Sequence, residues 1–229
     1  VWTAIDPVSK RFIAVSVGER SLAMAQRFVH HLVHRLAPGC RPLFLSDGFT
    51  DYGTALLTHF GHWVHHPRRQ PRGLAPKPRW CAQPQLHYAQ VVKKCRRRRL
   101  VSLLQRVVFG GREEINRRLA EHGWQINTAF VERLNLTLRQ HVAAIGQRVI
   151  TLAKSDSSVH RQLHLFQGYY NLCLPHASLR PALVPECRGL TRRWYAVTPA
   201  MAAGITDHVW SLRELLLFRV PPWQPPALE

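Results

Sequence analysis

The sequence predicts an α/β domain, a mixed sheet flanked by helices and carrying an inserted basic loop and hairpin. Two observations predict the α/β order. Apolar, β-branched runs and helical repeats follow one another as strand, strand, helix, strand, helix. Hydrophobic residues make up 46% of 229, enough for a substantial core. A third observation predicts the insertion. Residues 67–85, "PRRQPRGLAPKPRWCAQPQ", carry five prolines and five basic residues, a density in which no regular element is expected.

Residues 1–6, "VWTAID", and 11–17, "RFIAVSV", read as two strands joined by the turn formers "PVSK". Residues 21–37 read as an amphipathic helix capped by Ser21. Its apolar stripe is Leu22, Ala25, Phe28 or Val29, Leu32 and Leu36, and Pro38-Gly39 stops it. "RPLFLSD" is the next strand, expected beside the first and parallel to it. "DYGTALLTHFG" is a short helix closed by Gly61. After the proline-rich loop, "LHYAQVV" and "LVSLLQRVVF" form a hairpin whose tip is "KKCRRRR".

Residues 112–122 are a helix ended by Gly123. "TAFVERLNLTLRQHVAAI" is the most helical segment, with Val131, Leu134, Leu138, Val142 and Ile145 as its core stripe. Glu132, Asn135 and Arg139 share a different face. A further helix covers 156–172. From Pro175 the tail is irregular, then offers one helix at "PAMAAGITDHVWSLRELLLF" and ends in "PPWQPP".

Composition narrows the partners. Lys plus Arg number 32 against 13 Asp plus Glu, a net charge of +19. Such a field calls for a polyanion, and nucleic acid is the usual one. No apolar run approaches the ~20 residues that span a bilayer, so no membrane partner is expected. Five cysteines, an odd number with no Cys-x-x-Cys pair, fit a reducing compartment better than a disulfide framework. The 14 histidines include His30, His31 and His34 on one helix, then His62, His65 and His66. None sits at a zinc-finger or His-Glu-x-x-His spacing, and they read as solvated. The chain opens inside an expected strand, so it is expected to be a fragment with a segment missing upstream.

Scarce acids end two apolar runs, at Asp6 and Asp47, and a third, Glu132, projects from a helix. In open α/β sheets functional groups gather beyond the carboxyl ends of parallel strands. Carboxylates gathered there repel one another unless a cation neutralises them, and oxygen donors suit Mg²⁺ or Mn²⁺. The plainer alternative is that Asp6 and Asp47 are turn formers or caps and Glu132 is solvated. Asp51, four residues after Asp47, is a near rival that helix capping explains.

"VWTAID", "FLSDGFTDY", "VERLNLTLRQ" and "YYNLCLPHASL" together resemble the DDE-class insertion-sequence transposases of the ribonuclease H-like superfamily, nearest the compact bacterial type whose helix reads "ERxNxTLR". The resemblance covers roughly residues 1–180. It implies a ribonuclease H-like sheet and a DNA transposase that cleaves transposon ends and transfers strands into target DNA. It implies Asp6, Asp47 and Glu132 as the catalytic, metal-binding acids, with two Mg²⁺ or Mn²⁺ ions. Arg139 and Asn135 would contact the DNA. The basic run Lys93, Lys94, Arg96, Arg97, Arg98 and Arg99 is expected to bind phosphates. The partners implied are double-stranded DNA and further copies of the chain, a homo-oligomer on DNA, in the bacterial cytoplasm at the nucleoid.

The segments expected are 1–66 and 111–174 for the core, 67–110 for the inserted loop and hairpin, and 175–229 for a tail. Two alternatives remain: a nuclease or resolvase on the same fold that does not join strands, and an inactive DNA-binding remnant.

Overall fold

The structure, a computed structural model, describes residues 1–65, 76–97, 99–146, 155–181 and 194–219. In chain order the elements are β1 (Trp2–Ile5), β2 (Phe12–Ser16), α1 (Leu22–Val33), β3 (Leu43–Asp47), α2 (Asp51–Phe60), β4 (Gly61–Val64), β5 (Arg79–Ala82), β6 (His87–Arg96), β7 (Arg99–Phe109), α3 (Arg112–Ala120), α4 (Ala129–His141), α5 (Asp156–Leu172), α6 (Pro199–Ala202) and α7 (Leu212–Leu217). The chain forms two compact units. One is Val1–Ala4 with Ser16–Asn135, the other Ile5–Val15 with Leu136–Glu229.

The first unit is built on a mixed sheet of order β3-β6-β7. β3 runs parallel to β6, from Leu43 opposite His87 to Asp47 opposite Val91. β6 and β7 are antiparallel. The α/β class with a mixed sheet is therefore as the sequence predicts. The expected parallel neighbour differs: β3 pairs with β6, and β1 is not a strand of this sheet. The hairpin is also less of an insertion than its sequence implies. Its first half, Tyr88 to Val91, is buried as the central strand, while its distal half is exposed.

Side-chain alternation divides the sheet into two packed faces. Ala89 and Val91 pack with Ile115 and Leu119 of α3 and with Ile126, joined by Leu43, Leu45 and Val107. On the opposite face Phe44 meets Phe60 of α2 at 5.5 Å and Tyr88 meets Phe109 at 6.1 Å. α1 packs on α2 through Ala25, Phe28 and Val29 against the helix that buries Ala55 and Leu56. Ser21 caps α1 as expected, accepting from the Met24 amide at 3.3 Å. Trp2 anchors the start of the chain on Phe28, Phe49 and Tyr52, at 5.5–5.9 Å between ring centroids.

One short ladder escapes the sequence reading. β4 and β5 pair antiparallel, Trp63 opposite Trp80. β5 lies within the stretch where proline density argued against any regular element. Its four residues, "RWCA", fall in the proline-free gap between Pro78 and Pro84 and keep their amides for the ladder. Gly61 makes the close approach possible. A Cβ there would stand 2.2 Å from the Trp80 indole nitrogen, which donates to the Leu57 carbonyl at 2.8 Å. Residues 67–75 of the proline-rich segment lie outside the described residues.

In the second unit, α5 buries Leu163, Phe166 and Tyr170. Its amide side chains hold the backbone of β2. Asn171 accepts from the Phe12 amide at 2.8 Å and donates to the Phe12 carbonyl at 2.9 Å. Gln167 donates to the Phe12 and Ile13 carbonyls at 2.9 Å. The single C-terminal helix expected from the sequence is instead two short ones, α6 and α7. Gly204, at φ +69°, ends the first, and a capping box of Ser211 and Glu214 starts the second. The closing "PPWQPP" lies outside the described residues.

The sheet depends on the α3 layer. Replacing the fully buried Ile115 by Ala should cost about 2–5 kcal/mol, measured as a shift in the chemical-denaturation midpoint at constant slope.

Candidate active site at the end of strand β3

β3 places Asp47. Leu43 and Leu45 face the α3 core, and Asp47 is the next residue on that side, just where the strand leaves the sheet. Its carboxylate accepts from the Phe49 amide at 3.2 Å and pairs with Arg20 at 3.2 Å. The Arg20 guanidinium lies 4.7 Å over the Phe49 ring. β6 places the second acid indirectly. Asp47 is in register with Val91, and Lys93 is two residues further along β6, on the same side. The Lys93 ammonium is ion-paired with Glu132 of α4, and the Thr128 hydroxyl donates to the same carboxylate oxygen. The structure thus brings Asp47 and the Lys93–Glu132 pair to one end and one side of the sheet.

These two pairs differ in kind from others in the chain. Arg20 and Asp47 are 27 residues apart, Lys93 and Glu132 are 39 apart. Glu114 with Arg117 and Arg118, Arg117 with Glu121, and His208 with Asp207 and Glu214 are pairs within six residues. Burial pushes the Glu132 carboxyl up, but the hydrogen bonds from Lys93 and Thr128 and the Lys93 charge outweigh it and hold it below the ordinary value. Burial, with Asp47 nearby, pushes the Tyr52 hydroxyl well up, so Tyr52 stays neutral beside the acid.

The turn that carries Asp47 is fixed from the opposite face. Gln90, 1% exposed, donates to the Phe49 carbonyl at 2.8 Å and to the Tyr88 hydroxyl at 2.6 Å. Arg106 donates to its carboxamide oxygen. Tyr88 meets the Ser46 hydroxyl at 2.7 Å, and Ser46 donates to the Asp47 carbonyl at 2.8 Å. Every polar atom of the buried Gln90 side chain has a partner, which is what makes its burial affordable. Arg20, Thr128, Gln90, Tyr88 and Arg106 were not singled out by the sequence reading. Gln90 left a signal, a lone carboxamide inside the apolar run "YAQVV"; the partners of Asp47 and Glu132 left none.

The remaining expected site residues have other surroundings. Asp6, in the second unit, closes its own turn. Its carboxylate accepts from the Val8 and Ser9 amides, both at 3.1 Å, and from the Ser9 hydroxyl. The Asn135 carboxamide oxygen accepts from the Thr3 hydroxyl at 2.9 Å and so ties α4 to β1. Arg139 is exposed in the last turn of α4. Asp51 sits in the first turn of α2, as a helix-start acid does. The basic tip is mostly strand: β6 runs to Arg96 and β7 resumes at Arg99. Lys94, Arg96, Arg97 and Arg99 are exposed, Lys93 is engaged by Glu132, and Arg98 lies outside the described residues. Of the histidines, His30 stands 4.3 Å from His34 and 5.3 Å from His59 between ring centroids, and His66 lies outside the described residues.

Asp47 and Glu132 are half-exposed oxygen donors, each paired with one cationic side chain, and oxygen donors are the ligand type that hard divalent ions take. Asp6 offers its oxygens to a metal only by giving up turn hydrogen bonds. Among the described residues no three His, Cys, Asp or Glu side chains stand together in an arrangement that could hold a metal ion. No helix among them is long and apolar enough to cross a membrane. No family model matches the chain, and no curated protein or solved structure matches it.

The Lys93 contact can be read directly. Because the folded-state Glu132 carboxyl lies below its ordinary value, its tie to Lys93 is complete above the ordinary carboxylate range and lost as pH falls through the depressed value. Lys93→Ala should move the Glu132 titration upward, followed by carboxyl ¹³C chemical shift. An unchanged midpoint would show that Lys93 is not what holds it down.

Proposed function

We propose that this chain is the catalytic domain of a DDE-class DNA transposase with a ribonuclease H-like core, which cleaves transposon ends and joins them to target DNA. The observation that carries the reading is the common placement of Asp47 and Glu132 at one sheet end, each matched to a cation from a distant part of the chain. The "VERLNLTLRQ" helix supplies Glu132 and the net charge of +19 supplies affinity for a polyanion.

In this reading Asp47 and Glu132 would hold Mg²⁺ or Mn²⁺. Such ions would supply charge neutralisation at the phosphate and a lowered pKa for the attacking water or hydroxyl. The chain's own residues position. Gln90 and Ser46 keep the Asp47 turn in place, and Thr128 orients the Glu132 carboxylate. Lys93 and Arg20, paired with the two acids here, would be available to contact phosphate oxygens if those acids held a metal. Lys94, Arg96, Arg97 and Arg99 extend a cationic strip along the hairpin that suits a DNA backbone.

The decisive experiment is nicking of supercoiled plasmid in Mn²⁺, followed by joining of pre-cut ends. Asp47→Asn and Glu132→Gln should each abolish nicking while DNA binding stays within about threefold, since phosphate contacts lie elsewhere on the strip. Nicking without joining would leave a nuclease or resolvase. Intact binding with no nicking by the unaltered chain would leave a DNA-binding remnant and sink the catalytic reading.

Binding itself should be dominated by phosphate contacts. The logarithm of the affinity for random duplex should fall linearly with log salt, by roughly 0.9 per phosphate neutralised. Neutralising Lys94, Arg96 and Arg97 together should flatten that slope by about 2–3 in a fluorescence-anisotropy titration.

A further inference from the structure

The β4–β5 ladder displays an aromatic pair in strongly basic surroundings. Trp63 and Trp80 face each other across the two strands, their ring centroids 5.3 Å apart and their planes at 72°. They remain 61% and 43% exposed. Trp80 is the fixed member of the pair. Its indole nitrogen donates to the Leu57 carbonyl of α2 at 2.8 Å, and its ring fills the space that a side chain at position 61 would need. Trp63 leans on Trp80 and keeps most of its surface in water. Between Asp51 and Glu113 the chain carries 13 Lys or Arg and no Asp or Glu. Lys77 and Arg79, just before Trp80, are exposed. Arg41 brings another guanidinium to the same end of α2, 5.5 Å from the Phe60 ring. Asp51, the acid of α2, stands at the other end of that helix, roughly 13 Å from Phe60.

We infer that Trp63 and Trp80 form a stacking platform for unpaired nucleobases, with Lys77, Arg79 and Arg41 at its rim for the phosphates of the same strand. The charges call for an anionic occupant. The rings then choose among anions. A duplex keeps its base faces stacked inside and shows the protein only phosphates, sugars and base edges. An unpaired nucleotide offers a phosphate and a free π-face in one unit, which matches an exposed indole beside cations. An acidic peptide or an anionic lipid surface supplies the charge but no planar partner for the rings. Strand alternation sends Arg79 to the other face of the ladder from Trp80. The strands are only ~5 Å apart, and among the described residues no further strand flanks them, so the Arg79 side chain is long enough to reach past the edge to a phosphate. None of the stretches that carry the transposase resemblance includes either tryptophan. The inference rests on nucleic acid as the partner, the binding half of the proposed function, and is independent of whether the chain cuts DNA.

The test titrates the whole chain at ~0.15 M salt against a thymine oligonucleotide, an abasic strand and a duplex, each of about 12 nucleotides per strand. The abasic strand keeps the phosphates and lacks the bases. The parent should bind the thymine strand about 5–100-fold more tightly than the abasic one, the range that one stacking aromatic gives. Trp63→Ala should remove that preference and leave the abasic and duplex affinities within about twofold. Trp63→Phe keeps a π-face and should retain most of the preference. Trp63→Leu keeps apolar contact with Trp80 but has no π-face, and should lose it, which separates lost stacking from a disturbed ladder. Equal parent affinity for the thymine and abasic strands overturns the inference, and duplex binding then still supports the proposed function. A Trp63→Ala variant that keeps the thymine preference overturns it too, as does one that weakens equally on all three probes. So does capture on phosphatidylserine vesicles that depends on Trp63 in a chain with no thymine preference, which assigns the pair to a lipid surface. A parent that binds none of the three probes sinks both this inference and the DNA partner of the proposed function.

Discussion

The parallel pairing of β3 with β6 is the constraint from which the first unit follows. Five residues of β3 lie in register with His87–Val91. Parallel strands need a crossover, and the 39 residues between Asp47 and His87 supply it, with α2 and the β4–β5 ladder inside. The pairing buries Tyr88 to Val91 on both faces, α3 on one and α2 on the other. It also sets where β3 stops, so that Asp47 leaves the sheet beside the residue from which β6 continues alone. Lys93 belongs to that continuation, and through it α4 is drawn to the same end. One ladder thus determines the core, the root of the hairpin and the place where two acids stand.

Gln90 is what lets a polar turn sit on this apolar ladder. A buried carboxamide costs free energy unless each of its groups is bonded. Here its donors fix the Phe49 carbonyl and the Tyr88 hydroxyl, and its acceptor takes Arg106. The turn from Ser46 to Phe49 is therefore held by side chains from β6 as well as by its own Ser46 and Asp47. A loop supported in this way keeps its backbone, and with it the root of the Asp47 side chain, in one place.

Much of this was legible in the sequence, because periodicity reports burial. The strands ending at Asp47 and beginning at Leu86, the capped helix after Ser21 and the long helix through Glu132 all follow from apolar spacing. What the sequence did not show has a physical reason in each case. The partner of β3 depends on tertiary pairing, and β1 and β6 are both apolar enough to serve. β5 is four residues long between prolines, and its strand character comes from Trp80 meeting Trp63. The C-terminal helix breaks at Gly204, a left-handed position that a helical hydrophobic pattern does not reveal. At the site, Asp47 and Glu132 were legible as acids in telling positions. Arg20 and Lys93 were not legible as their partners, since sequence separations of 27 and 39 leave no local trace.

The energetics of those two pairs argue for use more than for stability. Arg20, Asp47 and Glu132 are half or more exposed, and Lys93 is more than a third exposed. Ion pairs in such surroundings contribute about 0–1 kcal/mol, little of a domain's stability. A helical pair such as Glu114 with Arg118 achieves as much with residues one turn apart. Holding two acids at a sheet end with cations from distant elements gains nothing further for the fold. It does favour the ionised form of Glu132, and it leaves the partners of both acids easy to displace, because a half-exposed cation that leaves a carboxylate regains water. On the proposed reading, that weak local compensation is what would let the two carboxylates exchange a side-chain cation for a metal ion, against the opposing field of a chain of net charge +19.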